Sequence, residues 1–522
     1  MKPPWIVFLG MLVSLLSPIY AYETLWGETE LRYWDEDGAY EGYTMFAISR
    51  ITYLIDMEGR VVKTWPIGWN PKLLENGNLL SLDKSLDGIF FIREVDWDGN
   101  IVWEYQDMDG YKIHHDWIRI FNRKLGEYTT MFIASKDVTP EECAAAGCEI
   151  IKIALLSDVI IEVDMDGRVI WKWSFMDHVV QDADPLKPNY VDDAADYPER
   201  INLYLNGQSP SGDWLHCNSV DYNEELDQVV VNSVNGEFYV IDHGGTFIPG
   251  DPEGSIELAA SRIGDFLYRF GDPARYDRGE PPTILDDWTK STTGNKQIGG
   301  SHDIRWIKSG LPGEGNFLVF NNGQYLFEKT SQSYIFEVNP RLDANGTDTG
   351  GYIDPPDAGY YVLVPEERRS THKQSKNISN QIVWIHNSMS NQNFFSHIGS
   401  GAQRLPNGNT LITSGTEGHL FEVTSQGELV WEYINPVTIS PSKDSYLMLE
   451  VLPDRVPTSN GIYKALRYGP DHPALAGRDL TPRETITGRP PITANDGSDT
   501  LSVTSIFVFF FGLLLGAFLR FR

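Results

Sequence analysis

One phrase recurs along this chain and restricts it to a sheet-built fold. It first appears as Tyr53-Leu-Ile-Asp-Met-Glu-Gly59-Arg-Val-Val-Lys-Thr-Trp65 and returns as Val95-Asp-Trp-Asp-Gly99-Asn-Ile-Val-Trp103-Glu-Tyr105. Two further copies are Val163-Asp-Met-Asp-Gly167-Arg-Val-Ile-Trp171-Lys-Trp173 and Val423-Thr-Ser-Gln-Gly427-Glu-Leu-Val-Trp431-Glu-Tyr433. Each is an alternating strand, a polar turn closed by glycine where positive φ is needed, and a second strand carrying tryptophan: a β-hairpin. A second phrase launches other strands from a tight turn: Leu74-Glu-Asn-Gly-Asn-Leu-Leu80, Leu311-Pro-Gly-Glu-Gly-Asn-Phe-Leu318 and Leu405-Pro-Asn-Gly-Asn-Thr-Leu411. Turn–strand–hairpin units repeated on this scale are the pattern of β-propeller blades. The first two hairpin glycines stand 40 residues apart and the next gap is 68, so some blades carry insertions. Between Tyr43 and Pro436 there is room for six blades, with five or seven as alternatives.

The fold class is therefore all-β, and the aromatic content of 12% suits strands. No long central segment shows helical periodicity. Residues 181–202 and 276–300 read as long loops, of the kind that more often serve function than idle.

The two ends have a different character. Lys2, the apolar run Trp5–Leu16, Pro18 and Ala21 read as a secretory signal peptide over 1–21. Leu501–Leu519 holds no charge and, as a helix, would span roughly 28 Å, with Arg520 and Arg522 just beyond. These features imply a single-pass type I membrane protein whose mass is extracytoplasmic, at the cell surface or in a secretory lumen. A glycolipid anchor is the alternative, since Asp496-Gly497-Ser498 offers small residues before the apolar run. The expected division is a propeller over 22–437, a Pro- and Ser-containing stalk over 438–500 and a transmembrane helix over 501–519.

A formal charge of −31 argues against nucleic-acid binding, which needs clustered Lys and Arg. Of three cysteines, Cys143 and Cys148 bracket a short loop and are a disulfide candidate, and Cys217 reads as buried. Asn345-Gly-Thr and Asn377-Ile-Ser are glycosylation candidates.

Four histidines sit inside apolar, strand-like runs where surface polarity does not explain them. They are His115 in Gly110-Tyr-Lys-Ile-His-His-Asp-Trp, His216 in Asp213-Trp-Leu-His-Cys-Asn, His302 in Gly-Ser-His-Asp-Ile-Arg-Trp and His397 in Phe-Phe-Ser-His-Ile. The intervals are 101, 86 and 95 residues, as equivalent positions on successive blades would give. A propeller gathers such positions around one axis. Strand alternation predicts His115 facing that channel and His114 facing away. His386 and His419 read as structural. Buried histidines bonded to backbone are the ordinary alternative for any one of the four.

Three blocks of the chain resemble the aryl sulfotransferase (arylsulfate sulfotransferase) family. They are Asp213-Trp-Leu-His-Cys-Asn-Ser-Val-Asp-Tyr-Asn, Leu267-Tyr-Arg-Phe-Gly-Asp-Pro with Ser301-His-Asp-Ile-Arg-Trp-Ile, and Ser400-Gly-Ala-Gln-Arg-Leu-Pro-Asn-Gly-Asn-Thr-Leu-Ile412. The resemblance implies a six-bladed propeller that transfers a sulfuryl group from an aryl sulfate to a phenol through a sulfated histidine, with no cofactor. It implies His302 as the sulfated residue, His216 and Asn218 as the His-x-Asn pair and His115 as the first pocket histidine. His397 is an additional substrate-binding candidate. The family places an arginine on the strand after His-x-Asn, where this chain reads Val230-Val-Asn232-Ser-Val234. Arg305, near His302 in sequence, is expected on the opposite strand face. A lost charge-assisted clamp would cost roughly 2–4 kcal/mol in the transition state. Two other readings therefore stay open: a noncatalytic cell-surface binding propeller, and a metal site built from the four histidines.

Overall fold

The computed structural model of the chain describes residues 27–84, 89–106, 110–150, 154–204, 209–280, 295–323, 333–362, 377–386, 395–441, 447–453 and 460–490. The expected signal peptide and transmembrane helix, with the end of the expected stalk, lie outside them. Among the described residues no helix is long and apolar enough to cross a membrane.

Six antiparallel sheets form six propeller blades. Blade 1 is Tyr43–Ile48, Ile51–Ile55 and Val61–Trp65, with Ala465–Tyr468 as its inner strand. Blade 2 runs Lys72–Leu73, Leu79–Lys84, Phe90–Val95, Ile101–Gln106. Blade 3 runs Tyr111–Asn122, Glu127–Val138, Leu155–Val163, Val169–Ser174. Blade 4 is Cys217–Asn223, Gln228–Ser233, Glu237–Asp242 and Phe266–Phe270. Blade 5 is His302–Trp306, Phe317–Asn321, Tyr334–Val338 and Ile382–His386. Blade 6 is Gly401–Arg404, Thr410–Ser414, His419–Val423 and Leu429–Ile434, with Glu30–Trp34 added to its outer edge.

The recurring phrases are the joints between blades. In the hairpin phrase the leading Asp folds its carboxylate over the turn: Asp56 accepts from the Arg60 amide at 2.8 Å and Asp164 from the Arg168 amide at 2.8 Å. The tryptophan then reaches the turn of the next blade. Trp103 donates to the Met165 carbonyl and Trp431 to Met57, both at 2.9 Å, and Trp384, on the outer strand of blade 5 outside the quoted copies, donates likewise to Ser425 at 2.8 Å. In the second phrase the last asparagine donates to a glutamate on the third strand of its own blade. The pairs are Asn78–Glu94, Asn316–Glu337 and Asn409–Glu422, each 2.7 Å. That glutamate is met by an arginine from the first strand of the following blade: Arg119 on Glu94, Arg404 on Glu337 and Arg467 on Glu422. A buried charge is thus paired and hydrogen-bonded at each of these seams.

The segment expected as a stalk is in large part propeller. Ala465–Tyr468 pairs with Tyr43–Phe46, and Val437–Pro441 pairs with Leu447–Val451. The Arg483 amide donates to Val61, and Thr487 donates twice to Glu30 on the other end of the chain. The physical reason is ring closure: the first blade lacks an inner strand until the chain returns to supply one. Such a strand carries no repeat of its own, because the rest of its blade lies some 400 residues earlier.

Candidate active site

The first strands of blades 2 to 6 each enter the axis through a residue with left-handed backbone. His115, His216 and Asp303 adopt positive φ of 58°, 47° and 54°, beside bulges in blades 3, 4 and 5. Asn70 and Ser400 do the same at the entries to blades 2 and 6. Left-handed backbone at a residue with a side chain costs on the order of 1–3 kcal/mol and tends to occur where function requires it. Here it turns side chains from several blades towards one axial point.

Three histidines meet there. The rings of His115 and His216 lie edge to face with centroids 4.7 Å apart. The Tyr463 ring stands 6.4 Å from both His115 and His302. His302 is 4% exposed and tightly oriented. Its Nδ1 lies 2.9 Å from the Gly300 carbonyl and 2.8 Å from Asn322 Oδ1. The Asn322 amide donates to the carbonyls of Ser396 and Gly399, which fixes its oxygen towards the histidine. Facing two acceptors, Nδ1 must carry the proton, so in the neutral ring Nε2 holds the lone pair. Burial lowers the His302 pKa to about 4, keeping it neutral near pH 7. His216 is pulled the other way: its 2.5 Å hydrogen bond to Asp213 raises its pKa. Burial, then the neighbouring His114 and His216, push His115 down to about 3.

One residue beyond His115, His302 and Tyr463 lies a layer of opposite charges. Lys464 of blade 1 bonds Asp303 at 3.0 Å and stands 3.4 Å from Asp116. Lys72 of blade 2 holds Asp116 at 2.7 Å, and Arg305 holds Asp303 at 2.6 Å. The cations keep both carboxyls ionised below their ordinary range. Burial brings Lys72 down to about 8. The layer also staples blades together, since Asp116 accepts from the Val220 amide and Asp303 from Ala402. A Cβ at Gly401 would lie 2.3 Å from Asp303, which is why that strand begins with glycine.

Several sequence expectations change. His114 does not face away from the channel: the bulge between Ile113 and Trp117 breaks strand alternation and brings His114 Nδ1 within 2.7 Å of His115 Nδ1. Arg305 is likewise not on the face opposite His302. The pairs His302–Phe320 and Arg305–Leu318 enclose one extra residue, so both share a face. Asn218 is fully buried; its amide donates to the Ser301 carbonyl and its oxygen accepts from Asn232, both within 2.8 Å. It braces the segment that carries His302, where a direct ligand contact was expected. Asn232, on the strand where the resemblance leads one to expect an arginine, joins the same brace through Ser301. His397 lies at the entry to blade 6 against Phe395 and Thr416. Among the described residues no group of three or more His, Cys, Asp or Glu side chains is arranged to hold a metal ion. Cys143 and Cys148 form a disulfide, Cys217 is buried, Asn345 is exposed in a turn and Asn377 begins a short strand.

Sequence reasoning missed Tyr463, Lys464, Asp158 and Trp69. Trp69 is 50% exposed and lies 6.1 Å from Tyr463, forming an aromatic wall beside the histidines. Tyr463 and Lys464 belong to the returning segment, which has no motif. Asp158 sits inside an ordinary apolar strand. Only Trp69, an aromatic in a Gly-Trp-Asn-Pro turn, offered a signal.

A six-bladed propeller whose axial mouth gathers a buried neutral imidazole beside one whose proton affinity Asp213 raises is a scaffold for handling a small anionic group. The chain belongs to the arylsulfotransferase family, whose model matches residues 42–347, more than half its length and inclusive of His115, His216, Asn218 and His302. Membership places it in the aryl sulfotransferase class, with aryl sulfates and phenols as substrates in general terms. No curated protein matches the chain. Among solved structures it is similar to a protein of unknown function from Bacteroides caccae, at 10% identity over 82% of this chain and 98% of that one, with a TM-score of 0.34. It is also similar to the C-terminal domain of PilY1 from Pseudomonas aeruginosa, at 8% identity over 80% and 93%, with a TM-score of 0.33.

Proposed function

We propose that the protein transfers a sulfuryl group from an aryl sulfate to a phenol in two steps, through sulfation of His302 at Nε2. The observation that carries this reading is the double anchoring of His302 Nδ1 by Gly300 and Asn322, which leaves a neutral ring with its lone pair on Nε2. In the first step Nε2 bonds to sulfur and the aryl oxygen leaves with the electron pair. The two acceptors on Nδ1 stabilise the positive charge that the sulfated ring acquires. In the second step the acceptor phenol oxygen takes the sulfuryl group from His302. His216, protonated against Asp213, and His115 serve as sulfuryl-oxygen donor and as acid/base for the phenol. His216 thereby supplies a cation that the family draws from arginine, and the Lys464–Lys72–Arg305 layer lies close beneath. Splitting the transfer means that donor and acceptor use the site in turn.

The reading extends to placement: Leu501–Leu519 tethers the propeller, which works on the extracytoplasmic side. Intact-mass and peptide analysis after exposure to an aryl sulfate tests the chemistry. One added sulfuryl group on His302, absent in His302→Ala together with turnover, is the expected result. Wild-type turnover in His302→Ala, or stable sulfation elsewhere, would refute it.

A further inference from the structure

We infer that Asp158 and His114 form a proton store behind His115, so that the phenol's proton is exchanged through a tandem-histidine relay. The inference rests on the sulfuryl-transfer reading and identifies which group handles the proton. Asp158 Oδ1 lies 3.0 Å from His114 Nε2, and His114 Nδ1 lies 2.7 Å from His115 Nδ1. Asp158 is almost fully buried, and its other oxygen accepts from the Cys217 amide, directly after His216. A carboxylate makes His114 Nε2 a donor, so the Nδ1–Nδ1 contact is the only variable point of the chain. It can hold one proton and no more. With that proton on His115, its Nε2 is an acceptor; with His114 doubly protonated, His115 Nε2 becomes a donor. Among the described residues no group hydrogen-bonds to His115 Nε2, which therefore serves the pocket.

His115 is a poor place to leave a charge. His216 and His302 face it from blades 4 and 5, Tyr463 from blade 1, and Asp213 only partly offsets them. On the His114 side the Asp158 carboxylate lies 3.0 Å from the far nitrogen, so a proton held there faces a counter-charge. In the first half-reaction the leaving phenolate takes the proton from His115 Nε2, while His114 Nδ1–H passes its proton to His115 Nδ1. In the second, the acceptor's O–H proton goes to His115 Nε2 and the Nδ1 proton returns to His114. No proton is gained or lost over the cycle, and the pair titrates as a unit. His216 is then free to keep its charge on the sulfuryl oxygens throughout.

His114 acts through His115, so it is a positioning residue and its test must separate proton supply from structure. In the full-length protein, His114→Asn keeps an acceptor for His115 Nδ1–H but cannot store a proton. Rates of His302 sulfation are measured for a series of aryl sulfates of rising phenol pKa. The expected loss is about 10²-fold for phenyl sulfate, shrinking as the phenol becomes more acidic, with Asp158→Asn steepening the same slope. A loss equal for every phenol, or an unchanged slope, overturns the relay. A second reading needs no turnover: ¹⁵N-imidazole NMR of the resting protein should show one far-downfield N–H shared between two Nδ1 atoms and lost in His114→Asn. Two histidines titrating independently overturn the relay even if sulfation is found, and the shared proton upholds it even if no aryl sulfate reacts.

Discussion

His302 and His216 lie in one pocket, yet their surroundings move their proton affinities apart, which is how acid and base roles are separated at one pH. His302 must be neutral to attack. Its pKa is lowered to about 4, so the reactive form is lost only as pH falls through about 4. His216 must be charged; its pKa is raised by Asp213, so that form is lost as pH rises beyond the ordinary histidine value. The kcat/KM profile for an aryl sulfate should therefore be bell-shaped, with an acid limb near 4 and an alkaline limb above 6.5. Asp213→Asn should draw the alkaline limb down, leave the acid limb in place and cost roughly tenfold or more at pH 7. A profile whose limbs ignore that substitution would separate His216 from the chemistry. At this scale the sequence was partly legible. The histidines stood out because an imidazole in an apolar strand needs a reason, and His302 and His216 could be aligned by motif. What alternation could not foresee was the bulge: one extra residue after His302, and the longer detour at His114–Asp116, reverse the faces on which His114 and Arg305 lie.

Between elements, the seams repay comparison. Where blades 2 and 3, 5 and 6, and 6 and 1 meet, glutamate is matched by arginine. Between blades 3 and 4 the corresponding Glu162 is instead met by His243, which is fully buried and bonds Glu162 at 2.8 Å and Asp227 at 2.5 Å. Those two carboxylates, despite burial, raise the His243 pKa to about 9. A group whose folded pKa exceeds its unfolded one stabilises fully below the unfolded value, near 6.5, and loses that contribution as pH rises through about 9. The shift corresponds to about 3 kcal/mol. Urea midpoints measured from pH 6 to 10 should fall over this window in the wild type. In His243→Gln the protein should be less stable at pH 6, because Glu162 is left unpaired, and the fall between pH 7 and 9 should flatten. An identical slope in both proteins would place the titration elsewhere. The seams also show why the repeats could be read so well. In each turn–Gly–Trp phrase the closed turn and the tryptophan that reaches the next blade are carried by nearby residues, so that half of the joint is written in a short window. The glutamate–arginine half of the joint, spanning two blades, is not.

The whole molecule is closed by its ends, and there local reading fails most. The inner strand Ala465–Tyr468 gives blade 1 its axis-facing edge and brings Tyr463 and Lys464 into the pocket. Arg467 bonds Glu422 of blade 6 and the Tyr40 carbonyl, and the Tyr468 hydroxyl accepts from the Leu73 amide of blade 2. One short strand thus ties blades 6, 1 and 2, and a boundary drawn at Val437 would remove it. A chain ending after residue 437 leaves the inner edge of Tyr43–Ile48 unpaired and Glu422 buried without its arginine. Leaving that one charge unpaired costs about 3–5 kcal/mol, a large share of the 5–15 kcal/mol that typically holds a folded protein. Such a chain should lose its cooperative thermal transition and be cut rapidly by protease, whereas one ending after residue 490 should match the full chain. A point substitution separates closure from mere length: Arg467→Met in the complete chain removes the charge but leaves the strand. It should lower Tm by several degrees and speed proteolysis within residues 27–65, where the released edge lies. If the chain ending at 437 melted within about two degrees of the one ending at 490, the ring would be held by its repeated seams alone and the returning strand would serve the pocket rather than the fold.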